Sequence, residues 1–154
     1  MNRLILQTLE TADGRYLTPE AWRPVESYLD ALPRRLALAD KLRVMEDAAV
    51  GATIDFMRGR YPTFSEHHVH AWEKGYRDVQ LTLRYCVRAM VLNDVAGLTE
   101  GLLVWLRTML AGNKMTPRFV RDTYESLRDH CFKQLSPDEQ RLMEPAFSAA
   151  IEIL

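Results

Sequence analysis

Four charged residues near the middle of the chain, Lys74, Arg77, Asp78 and Arg84, have the spacing most suited to directed chemistry. On a helix Lys74 and Asp78 are i,i+4 neighbours, and Arg77 and Arg84 share a face seven residues apart, which makes a compact mixed-charge stripe. Such a stripe is either a solvated face, whose exposed pairs are worth under about 1 kcal/mol each, or the polar side of a ligand site. Gly75 stands within it. Gly inside a helix costs about 1 kcal/mol relative to Ala, so it marks either close approach of a flat ligand to the backbone or a neutral replacement. Trp72, one turn before Arg77, stands where it would flank a pocket.

Glu66, His67, His68, His70 and Glu73 form the most metal-like cluster, with Glu66, His70 and Glu73 on one face. An exposed first helical turn accounts for them as well, Glu66 complementing the helix dipole. No further well-spaced His follows, so no metal site is expected. Cys86 and Cys131, with 44 residues between them, match neither a disulfide framework nor a zinc spacing and read as buried thiols. A Gly-rich phosphate loop and a defensible Ser-His-Asp motif are both missing, so an enzyme is not expected.

These residues need elements to position them. The 154 residues suffice for one core, and a chain 47% apolar and 27% charged folds rather than staying disordered. A net charge of -1 gives no global attraction to nucleic acid or anionic lipid. The densest basic run, Arg34, Arg35, Lys41 and Arg43, is interrupted by Asp40 and reads as a solvated helix. The run Leu102 to Leu106 is far short of the ~20 apolar residues of a bilayer span, and Met1 to Glu10 lack the pattern of a secretory signal, so the expected compartment is the cytoplasm.

Apolar residues recur at three- and four-residue spacing between sparse turn signals, so the expected fold is all-α. A first helix is predicted from Asn2 to Thr11, and a second starts near Pro19 with Thr18 as cap and ends at Pro33. The broad apolar pattern from Arg34 to Arg60 predicts two helices meeting near Glu46-Asp47. A long helix follows from Glu66 to Asn93, another from beyond Gly97 to Ala111, and a third opens at Thr116-Pro117. Ser136-Pro137-Asp138-Glu139 is a capping-box start for the last. Trp22 and Trp105 read as core.

With the order of these marks in view, the chain resembles the phycobiliprotein family, the globin-like subunits of phycobilisomes. Thr11 to Thr18 is similar to the family's A-D-x-x-G-R-[FY]-L-[ST] segment, two residues shorter between Asp13 and Gly14, and Phe56 to Thr63 resembles its helix end and K-F-P-Y turn. Lys74-Gly75-Tyr76-Arg77-Asp78 with Leu83-Arg84-Tyr85 resembles the K-C-x-R-D…L-R-[YM] chromophore helix, and Thr116-Pro117-Arg118-Phe119 the S-P-x-W opening of the next-to-last helix. The resemblance implies one globin-like all-α domain over residues 1–154, with two additional N-terminal helices in 1–32 and a globin-like core in 33–154.

One departure bears on function. The family attaches its bilin through the Cys of K-C-x-R-D, where this chain has Gly75, so covalent attachment at that position lacks its nucleophile. The aromatic usual near the start of the following helix aligns with Gly101. The chain is more similar to Cys-less relatives such as the bilin-biosynthesis-associated globins.

A bilin's pyrrole N–H groups converge as donors on one acceptor, and its propionates seek Arg or Lys. The resemblance therefore implies Asp78 as acceptor, Arg77 and Lys74 as propionate holders, and Gly75, Trp72 and Phe119 around a non-covalent bilin such as phycocyanobilin or biliverdin. It also implies a dimer with itself or a related subunit, in which Asp13 and Arg84 pair across the interface. The alternatives are a pigment-free assembly protein and, more remotely, a haem sensor, although no His lies between Gly97 and Ala111 to serve as proximal ligand and His130 lies too far along.

Overall fold

The computed structural model describes residues 3–12, 14–67 and 70–154, and every regular element among them is helical. Leu4, Ile5, Leu6 and Leu9 give α1 (Arg3–Ala12) its apolar side. Ten residues are too few for a helix to persist alone, and Arg3 ties its start to Asp94 at 3.6 Å and Glu100 at 2.8 Å. Thr18 then caps α2 (Pro19–Arg60), its hydroxyl accepting from the Ala21 N–H at 3.3 Å with Pro19 in the first turn.

Helix α2 corrects two expected breaks, because it runs 42 residues through both Pro33 and Glu46-Asp47. Pro33 removes one helical hydrogen bond, but it sits on the exposed side, where water can serve the freed carbonyl. Two residues on, Arg35 reaches across to the end of the fourth helix, donating to the Met90 carbonyl at 2.6 Å and to Asn93 Oδ1 at 3.2 Å. That anchor holds the stretch after Pro33 in line. The apolar band beyond it is wide because one helix is packed on two sides, not because two helices meet: Leu38, Leu42, Val50, Ile54 and Met57 are all buried, between the fourth and seventh helices.

The predicted helix from Glu66 to Asn93 is likewise corrected, to a short α3 (Phe64–His67) and a longer α4 (Ala71–Leu92). Between them His70 takes the left-handed conformation, φ 56°, which His tolerates better than most residues. Asn93 ends α4 in the same conformation, φ 52°. Asp94, not Gly97, starts the next stretch: its carboxylate accepts from the Gly97 N–H at 2.8 Å and caps α5 (Val95–Leu98). A side chain at residue 97 would come within 2.5 Å of that carboxylate, so glycine lets the cap close. A π-helical turn, Thr99–Leu103, leads into α6 (Val104–Gly112).

Thr116 caps α7 (Pro117–Phe132), and Ser136 with Glu139 forms the expected capping box of α8 (Pro137–Ile153). Helices α2, α4, α7 and α8 and the π-helical segment enclose one core around Leu42, Leu83, Leu103, Leu127, Met143 and Phe147. This is the expected all-α, globin-like bundle. No helix among the described residues is long and apolar enough to cross a membrane.

Candidate functional site

Residues 72, 75, 78 and 79 recur at three- and four-residue intervals, so α4 presents Trp72, Gly75, Asp78 and Val79 on one side. They face Ile54 and Met57 of α2, Phe64 of α3 and Phe119, Thr123 and Tyr124 of α7 across a cleft of about 460 Å³. A second cleft, of about 860 Å³, opens beside it, where Lys74 and Asp78 face Trp105, Met109 and Asn113. Ala71, Gly75, Asp78, Leu110 and Met115 line both. The two are halves of one depression.

Asp78 is the polar centre. Its carboxylate is half-buried, makes no hydrogen bond or ion pair among the described residues, and is pushed above the usual carboxylate range by that burial. Below it the Thr82 hydroxyl donates to the Asp78 carbonyl at 2.9 Å and lies 3.3 Å from the buried Tyr124 hydroxyl. Burial raises the Tyr124 phenol strongly, so it stays neutral.

Around this centre stands an aromatic wall. Phe64 stacks on Phe119 with ring centres 4.4 Å apart, Trp72 lies 5.2 Å from Phe64, and Tyr61 meets Phe119 edge-on at 5.0 Å. Tyr61 is held from behind: its hydroxyl donates to Asp122 at 2.5 Å, and Arg60 Nε donates to the same oxygen at 2.6 Å. The Tyr61 hydrogen bond, then Arg60, keeps the Asp122 carboxyl below its usual range.

Of the residues singled out by sequence, Trp72, Gly75, Asp78 and Phe119 share the first cleft, and Lys74, exposed, lines the second. Lys74 and Asp78 are not ion-paired. Arg77 is exposed and lines neither cleft. A methyl group at Gly75 would meet only Ile54 Cδ1, at 3.8 Å, so protein packing does not require glycine there.

Arg84 lies farther along α4, exposed, its guanidinium in bidentate contact with Glu46 at 2.7 and 3.0 Å. Asp13, its expected partner, lies outside the described residues. So do His68 and the side chain of His67. His70 Nδ1 sits 3.1 Å from Glu73, both exposed, and the described residues hold no group of three or more His, Cys, Asp or Glu set to hold a metal. Cys86 and Cys131 are buried away from both clefts, their thiols pushed up to about 12 chiefly by burial, which leaves them inert as nucleophiles.

Trp105 is a correction. Expected in the core, it is 56% exposed on the wall of the second cleft, because the π-helical turn just before it resets which side of α6 faces inward. Trp22, also expected inside, is 36% exposed. Phe64, Tyr61 and Tyr124 escaped the sequence reading. Phe64 begins a single helical turn, where periodicity has no reach, whereas Tyr124 carried a usable signal, two turns beyond Pro117 on the side of Val120 and Leu127.

Among the described residues the depression thus offers flat stacking surfaces, one unpartnered carboxylate and one amine. A family model described as phycobilisome protein matches residues 7–154. No curated protein matches the chain significantly.

Proposed function

Because the chain belongs to the phycobilisome protein family, we propose that it is a phycobiliprotein-like accessory protein that binds a linear tetrapyrrole without a covalent bond. It acts by holding the pigment, not by catalysis. The observation that carries this reading is Asp78: a half-buried carboxylate in a cleft lined by aromatic rings, with no partner among the described residues. Partial burial already disfavours its charged form, and a ligand that supplies donors would offset that, as converging pyrrole N–H groups would. Lys74 lies beside it for an acidic side arm. Arg77 would need to turn toward the mouth to hold a second. Gly75 and the two inert thiols make the attachment reversible.

The test is an absorbance titration of the purified protein with phycocyanobilin, biliverdin and haem. A bilin spectrum that sharpens and shifts on binding, with all pigment released by denaturation, is expected. No spectral response to either bilin refutes the reading, and pigment retained on the denatured chain refutes its non-covalent part. A haem complex is not expected, since no described histidine lines either cleft.

A second reading, a pigment-free assembly subunit, is favoured by a different observation. Trp22, Leu29 and Leu36 recur every seven residues along α2 and are all exposed, an apolar stripe of the kind that meets another helix. In either reading we place the partner, a second copy or a related subunit, against residues 1–30 and against the C-terminal half of α4, which carries Arg84. Asp13 would lie opposite Arg84, and residues 33–154 form the body.

A further inference from the structure

We infer that Trp105 is the stacking wall for the carboxylate-bearing part of the ligand, so that a bound linear tetrapyrrole spans both clefts instead of lying in the aromatic one alone. This rests on the functional reading above and deepens it. An indole 56% exposed on a helix whose Leu106 and Leu110 are buried leaves a large apolar surface in water. That surface lies on the wall of the second cleft, with Met109 one helical turn along from it and Lys74 and Asp78 across from it.

Charge sets the orientation of the ligand. Among the described residues Lys74 is the one cation lining either cleft, and it stands on the Trp105 side. Acidic side arms are therefore drawn into the second cleft. The rings that carry them must cross the residues common to both halves, Gly75 and Asp78 among them, and lie against the Trp105 indole. An end ring remains for the cleft between Phe64, Phe119 and Trp72. Without a thiol at residue 75, ring stacking has to supply the retention that a covalent bond would otherwise give.

The experiment titrates phycocyanobilin and biliverdin into the full chain and into Trp105→Ala and Trp105→Phe, with thermal unfolding and sedimentation of each protein. The Ala variant is expected to bind about tenfold more weakly, the Phe variant to keep most of the affinity, and unfolding to be nearly unchanged because the side chain is exposed. Equal affinity of the Ala variant and the parent, while the parent binds, overturns the role of Trp105 and leaves the functional reading standing; this holds even if the variant's self-association changes. Failure of the parent to bind either bilin overturns both.

Discussion

Asp78 and Tyr124 are joined through one hydroxyl: Thr82 Oγ1 donates to the Asp78 carbonyl at 2.9 Å and lies 3.3 Å from the Tyr124 oxygen. With its only proton used on the carbonyl, Thr82 must accept from Tyr124. The Tyr124 proton is thereby directed into the protein, and the Asp78 carboxylate is the acceptor the cleft presents. It suits a ligand that brings donors.

Asp78→Asn should therefore stabilise the ligand-free protein and weaken the ligated one. Burial raises the folded-state carboxyl above its unfolded value, so the native state binds more protons over the window just above the ordinary pKa of 3.8. Stability is lost as pH rises through that window and stays lower at neutral pH. Asn abolishes this dependence. Melting curves between pH 3 and 8 should show the variant gaining on the parent as pH rises, while bilin affinity falls by on the order of 1.5–3 kcal/mol and the bound spectrum moves to the blue. A bound spectrum and affinity identical to the parent's would remove Asp78 from the site.

Gly75→Ala separates packing from function at the junction of the clefts. The added methyl meets only Ile54, at ordinary contact distance, and Ala is favoured over Gly in a helix by about 1 kcal/mol. Denaturant unfolding should show a gain approaching that value. Bilin affinity should drop under the proposed binding mode, in which the rings cross the backbone at this residue. A stabilised variant with undiminished affinity would mean that the glycine is a neutral replacement.

Asp122→Asn tests the support behind the aromatic wall. Tyr61 and Arg60 hold the folded carboxyl below its unfolded value, so its contribution is present above the ordinary pKa and lost as pH falls through the lowered one. The variant should be less stable than the parent at pH 7, with the gap closing below the ordinary pKa of 3.8. A gap that persists unchanged at pH 2 would assign the effect to something other than this carboxylate.

The elements of this fold that could be read from sequence are those written in local chemistry. Thr18, Thr116 and the Ser136-Glu139 box start helices because their side chains bond backbone N–H groups within the same turn. Pro33 misled because its cost is local while the compensation is not: Arg35 finds the Met90 carbonyl 55 residues away. The break at His70 and the π turn at Thr99–Leu103 carry no sequence signal of comparable strength, and together they reset the sides of α4 and α6 that meet at the site. Asp78 was legible as the i,i+4 neighbour of Lys74, Gly75 as a glycine inside that helix and Trp72 as an aromatic one turn before Arg77, while their shared role came from the family resemblance. Phe64, Tyr124 and Trp105 join them only through tertiary packing.

Assembly gives the last prediction. In α1 only Thr8 is buried, and Leu9 is 51% exposed. Farther on, Trp22, Leu29 and Leu36 form their exposed heptad stripe. The same stripe of a partner copy would cover it, and the apolar side chains would supply most of the affinity. The full chain should sediment as a concentration-dependent dimer. Leu29→Glu should convert it to a monomer with an unchanged melting temperature, because Leu29 is exposed in the single chain, and deletion of residues 1–12 should do the same to the dimer. A full-length protein that is monomeric at tens of micromolar, with no related subunit recovered alongside it from cells, would defeat the dimer.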